Sequence, residues 1–128
     1  MSVMSKEGTK AELVFSGTLD QHLFAWYLEF WLFPVWNKDK ILVLDNCSVH
    51  HSKLVTETID RLGINVLFLP PYSPDFNPIE LLWAWVKTFL KKTKARTQEL
   101  LIDGISKALN LVNQELLYNW FEHCGFYL

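Results

Sequence analysis

The sequence is poor in cysteine, with only Cys47 and Cys124, far apart and without metal-type spacing. That excludes a disulfide framework and a thiolate zinc site, and it fits a reducing compartment. Long apolar runs are also missing. The longest, residues 23–36, is broken by Glu29 and Pro34 and falls short of the roughly 20 residues a membrane span needs. No membrane partner is therefore expected, and no signal peptide is visible. There is no overall basic excess: 12 Lys and Arg stand against 14 Asp and Glu, a net charge of −2. The sum gives no sign of nucleic-acid binding. Internal repeats, low-complexity segments, an interdomain linker and a recognisable helix-turn-helix are likewise absent. What is present is a core: half of the 128 residues are hydrophobic, with six Trp and nine Phe, enough to bury one domain.

The most specific stretch runs Pro-Tyr-Ser-Pro-Asp-Phe-Asn-Pro-Ile-Glu from Pro71 to Glu80. Its prolines forbid a helix until Asn77-Pro78 starts one, which delivers Glu80 on the first helical turn. Upstream, Ile41-Leu-Val-Leu44 is a branched apolar run ending in Asp45, the pattern of a strand buried on both faces. A carboxylate at a strand end and another at a helix start can meet over a sheet edge. Hard cations such as Mg²⁺ or Mn²⁺ find oxygen ligands in such a place. Charge is also unevenly spread, because Lys87, Lys91, Lys92, Lys94 and Arg96 fall within ten positions and no acidic residue lies between Glu80 and Glu99. This run is a local phosphate-facing candidate, and equally reads as a solvated lysine face.

Asp45-Asn46, His50, the run Asn65-Val-Leu-Phe-Leu69, and Pro70 to Glu80 with Trp83 and Lys87 resemble the second and third catalytic blocks of DDE transposases. The branch is the mariner-like one with its bacterial insertion-sequence relatives, and the resemblance covers roughly residues 12–95. It implies an α/β, ribonuclease-H-like fold, three-layered with a mostly parallel sheet flanked by helices. It also implies cleavage and joining of DNA, at transposon ends and target, by two metal ions held by three carboxylates. Carried over, Asp45 matches the second acidic residue and Glu80 the third, both catalytic and metal-binding. Asn46, His50 and Asn77 are read as supporting them, and the basic run of Lys87, Lys91, Lys92, Lys94 and Arg96, found from charge spacing, is the candidate DNA contact. The family's first Asp has no match here. Residues 1–10 are too polar for a central strand, so they are set apart from a partial catalytic domain over 11–128, truncated at its N-terminus. Two readings follow: a catalytic half completed by another polypeptide that supplies the strand and first Asp, or an inactive remnant that binds DNA or self-associates. A homo-oligomer or such a partner is expected, in the cytoplasm or, in a prokaryote, on the nucleoid.

Periodicity predicts a strand over 12–16, a nearly all-round apolar helix over 19–33 with Thr18 as its cap, and a strand over 41–45. It then predicts an amphipathic helix over 52–62 closed by Gly63, a strand over 65–69, and helices over 78–92, 98–112 and 115–128. Strand alternating with helix argues for a parallel sheet. Plainer explanations stand beside the functional ones. Glu80 also fits a capping box on Asn77, and Asp45 with Asn46 fits a turn after a strand. Trp83 reads as core. Asp20, at a helix start, is not promoted to the missing ligand. The Cys47, Ser48, His50 cluster suggests a thiol or serine hydrolase but lacks a nucleophile elbow.

Overall fold

The computed structural model describes residues 1–126. In chain order the chain forms β1 (Val3–Ser5), β2 (Gly8–Lys10), α1 (Gln21–Trp26), β3 (Leu42–Leu44), α2 (Lys53–Leu62), β4 (Val66–Phe68), α3 (Ile79–Thr93), α4 (Gln98–Asn110) and α5 (Gln114–His123). Two compact units result. One is Phe15–Pro74; the other joins Met1–Val14 to the chain from Asp75 onward. The end of the last predicted helix, residues 127–128, lies outside the described residues.

The Phe15–Pro74 unit is a β3–α2–β4 crossover with a long apolar helix. β3 and β4 pair in parallel, Leu42 with Val66, Val43 with Leu67 and Leu44 with Phe68. Ser52 caps α2 by accepting the Val55 N–H at 3.3 Å, and Gly63 ends it at φ 71°, a conformation glycine adopts without strain. Val55 and Ile59 are buried, as the amphipathic pattern demands, while Leu54 and Leu62 are half-buried. Thr58 is buried as well, its hydroxyl satisfied by the Leu54 carbonyl at 2.8 Å.

The predicted helix over 19–33 is displaced to 21–35 and less regular than its pattern. Asp20, not Thr18, is the cap, accepting the Leu23 N–H at 2.8 Å, a role that suits a short carboxylate. After Trp26 the coil widens to a π-helix, Tyr27–Leu32, and then tightens to one 3₁₀ turn, Phe33–Val35, because Pro34 cannot donate to a further α turn. Tyr27, Leu28 and Leu32 point inward and are buried. Trp26, Phe30 and Trp31 remain exposed and lean on one another, with Trp26 6.2 Å from Phe30 and 6.0 Å from Trp31 between ring centroids. Glu29 breaks the apolar circumference to receive a two-pronged bond from Arg61 of α2, each prong 2.8 Å. Hydrogen bonding to Arg61 holds the Glu29 carboxyl below its ordinary value and raises Arg61.

The other unit stacks α3 on α4 around Leu82, Val86 and Ala108, with Met4, Trp83, Ile105 and Leu109 packed against them. Gly104, a weak point by helix propensity, is where the two helices approach. A Cβ there would stand 2.9 Å from Leu90 Cδ2. Thr97 and Asn113 cap α4 and α5 with bonds of 3.1 and 2.9 Å. Trp85 Nε1 donates to the Ala108 carbonyl at 3.0 Å. Leu100 and Leu101, apolar positions of α4, are exposed; the small residues Gly104 and Ala108 form the contact stripe. The polar residues 1–10 are an ordered hairpin, Val3 facing Lys10 and Ser5 facing Gly8, and Gln114 of α5 donates to the Lys6 carbonyl.

Two sequence expectations are corrected. Residues 12–16 form no strand, since Ala11 turns the chain at φ 55° before them and Gly17 at φ 87° after. The extensive parallel sheet is reduced, among the described residues, to two sheets of two strands each. Every strand is three residues long: Asp45-Asn46 ends β3 in a turn, Pro70 follows β4 closely, and the N-terminal strands pair with each other. Within β3 Leu42 and Leu44 are buried and Val43 is half-buried, whereas Ile41, expected to belong to the strand, lies outside it and is 62% exposed. The architecture is thus mixed, helices with small sheets.

Candidate active site

Asp45 sits where β3 ends, in the Phe15–Pro74 unit. Its side chain is half-exposed, and Oδ1 accepts the Cys47 N–H at 3.1 Å, an Asx turn of the kind short carboxylates make. The next four residues, Ser48–His51, form a 3₁₀ turn that returns two histidines to the strand end. His50 Nδ1 lies 2.9 Å from Asp45 Oδ1 and 3.2 Å from the Asp45 carbonyl oxygen. Its ring is mostly buried against Phe24, centroids 4.7 Å apart. His51 Nε2 meets Asn46 Oδ1, with its ring stacked on Phe68 at 4.2 Å. Each imidazole is therefore clamped by an aromatic face on one side and a polar group of the Asp45-Asn46 pair on the other. His50 orients the carboxylate, and Asn46 is held by the neighbouring His51. Cys47 is exposed, and its main-chain N–H is what meets Asp45.

Glu80 belongs to the other unit. Asn77 prepares its helix: the Asn77 carbonyl accepts the Glu80 N–H at 3.1 Å, and its side-chain oxygen accepts the Ile79 N–H at 3.4 Å. Pro78 stands at the cap position with Asn77 just before it, a shift of one residue from the sequence reading. Glu80 is exposed on the first turn, where the helix dipole favours an anion, and lines a cavity of about 370 Å³ together with Glu12, Trp83 and Lys87. Trp83 is half-buried and packs on the Leu82 cluster, in keeping with its core reading. Lys87 lies seven residues after Glu80 and opens to the same cavity. Lys91, Lys92, Lys94 and Arg96 are all exposed around the end of α3, Lys94 being its left-handed cap at φ 50°. Glu12 was not singled out from sequence; its place in the wall shared with Glu80 depends on the fold of the N-terminal segment.

The loop between the units' elements is constrained. Pro74–Phe76 makes a 3₁₀ turn, Ser73 Oγ donates to the Pro71 carbonyl at 3.1 Å, and Tyr72 adopts φ 55°. Among the described residues no three His, Cys, Asp or Glu side chains gather as a ready metal site, and no helix is long and apolar enough to cross a membrane. In donor type, the carboxylates of Asp45 and Glu80 suit a hard, oxygen-seeking cation rather than a soft one.

Comparison with known families bears on these carboxylates directly. The sequence profile described as DDE superfamily endonuclease matches residues 1–102 of the 128, a span that contains Asp45, the proline-rich loop, Glu80 and the basic run. No curated protein matches the chain. The match takes in most of the chain and runs through both carboxylate-bearing blocks, so the chain belongs to the DDE superfamily of endonucleases.

Proposed function

We propose that this chain is part of a transposase catalytic domain of ribonuclease-H-like fold, which cleaves DNA at transposon ends and joins it to a target. The observation that carries the reading is the coincidence of the family match with two carboxylates at rigid starting points, Asp45 at the end of β3 and Glu80 on the first turn of α3. In this reading Asp45 and Glu80 hold divalent ions, Mg²⁺ or Mn²⁺. Bound there, such ions supply activation of the attacking water or 3′ hydroxyl and stabilisation of the leaving oxygen. The protein's own work is orientation. His50 and the Cys47 N–H both engage Oδ1 of Asp45 and so hold the carboxylate that would bind the cation, while Asn77 fixes the turn that carries Glu80. Lys87, Lys91, Lys92, Lys94 and Arg96 contact backbone phosphates, giving binding that weakens with salt. The place of action is wherever the cell keeps its DNA.

Two carboxylates do not normally hold a two-metal clamp, and no residue of this chain matches the family's first Asp. These residues are therefore proposed to be insufficient alone, with a third carboxylate needed from outside them. The purified chain with Mg²⁺ or Mn²⁺ should neither nick DNA nor join strands above background. Metal-dependent cleavage that disappears in Asp45→Ala would overturn the incompleteness and direct the search for a third ligand to Glu12, Asp75 and Glu122.

A partner or a second copy is also proposed from packing. Trp26, Phe30 and Trp31 form an exposed aromatic cluster, and β3 and β4 form a sheet of only two strands with open edges of the kind that invite pairing. Sedimentation of the pure chain should show concentration-dependent association. A monomer at tens of micromolar, unchanged by Trp31→Glu, would remove this proposal.

A further inference from the structure

We propose that the ring of Tyr72 stacks on an unpaired base of the DNA strand being processed. The proposal rests on the DNA-processing reading above and adds to it a base contact on the proline-rich loop. Tyr72 is fully exposed, at 102% of its reference surface, whereas tyrosines are usually at least part-buried. Its backbone stands at φ 55°, a left-handed conformation that residues with a Cβ occupy at a steric cost. Both features are unfavourable for the free protein, and among the described residues the ring makes no stacking contact.

The surrounding loop holds this conformation in place. Pro70 and Pro71 precede the tyrosine and fix two consecutive φ angles. Ser73, lying just before Pro74, is confined to extended backbone, and its hydroxyl donates across Tyr72 to the Pro71 carbonyl at 3.1 Å. A glycine would make the same turn without strain. What tyrosine adds is an outward ring on a rigid base.

The chemistry of the ring selects the ligand. A tyrosine ring offers a flat π-face with few rotatable bonds, so little entropy is lost on docking. The flat π surfaces of a DNA substrate are its bases, and stacking on an aromatic side chain accepts any of them. Bases inside a duplex already stack on their neighbours, so the ligand is an unpaired base at a strand end, gap or distorted step.

The test uses the full chain with a single-stranded oligonucleotide carrying 2-aminopurine, and with a fully paired duplex. Wild type and Tyr72→Phe should quench the fluorescent base and bind the single strand alike. Tyr72→Ala and Tyr72→Gly should lose the quenching and bind the single strand about 10-fold more weakly, with duplex binding unchanged. Tyr72→Gly should melt no lower than wild type, because it relieves the backbone. Quenching and affinity that survive Tyr72→Ala, or a clear fall in Tm for Tyr72→Gly, would overturn the stacking role and leave the DNA reading standing. Binding of neither probe by the wild-type chain would overturn the DNA reading itself, and this proposal with it.

Discussion

In an assembly where this chain is active, Asp45→Ala and Glu80→Ala should each reduce metal-dependent strand cleavage by about 1,000-fold or more. Losing a ligand to an ion that stabilises the transition state removes several kcal/mol, and each 1.36 kcal/mol is a factor of ten in rate. His50→Ala should be milder, about 10- to 100-fold, because it frees a carboxylate that is still present to rotate. His50→Asn tests the distinction, since an amide N–H can replace part of the orienting contact that Asp45 Oδ1 receives at 2.9 Å. The assay compares each variant with the wild-type residues in an assembly that cleaves DNA. Cleavage at the wild-type rate by Glu80→Ala in a reconstituted assembly would remove Glu80 from the catalytic set. Loss equal in His50→Ala and Asp45→Ala would instead make His50 a ligand.

The parts of this site that were legible in the sequence are those fixed by local chemistry. Prolines at 70, 71, 74 and 78 leave the chain few conformations, so a rigid loop ending in a helix start at Glu80 follows from the residues themselves. Ser52 and Gly63 likewise announce the ends of α2, and Thr97 the start of α4. What could not be read depends on partners distant in sequence. The clamp of His50 between Asp45 and Phe24 needs the helix and the strand end to be neighbours. Periodicity also cannot tell how many strands a sheet will have. Residues 1–10 read as too polar for a central strand, yet a two-residue turn at Lys6 and Glu7, followed by Gly8 at φ 141°, pairs residues 3–10 into a hairpin, and Met4 joins the Leu82 cluster. The strand expected at 12–16 failed for a reason invisible to hydropathy, a left-handed Ala11.

The same limit shows in α4, and it yields the sharpest test of the fold. Leucines at 100 and 101 and isoleucine at 105 satisfy helical spacing, yet spacing alone does not say which of them is buried. The structure leaves Leu100 55% exposed and turns Gly104 and Ala108 toward α3, because helices pack more closely through small residues than through large ones. Leu82, by contrast, is completely buried between Val86 and Ala108. Leu82→Ala should cost about 2–5 kcal/mol through lost burial and the cavity left behind, a large share of the roughly 5–15 kcal/mol that holds an ordinary domain folded. Leu100→Ala should stay within about 0.5 kcal/mol. Urea unfolding followed by tryptophan fluorescence reads both variants, since Trp83 and Trp85 lie on α3 and Trp120 on α5. Hydrogen exchange should show protection falling in α3 and α4 for Leu82→Ala alone. Equal destabilisation by the two substitutions would mean that α4 is rotated to bury its leucines, and the contact of Gly104 with Leu90 would then be wrong.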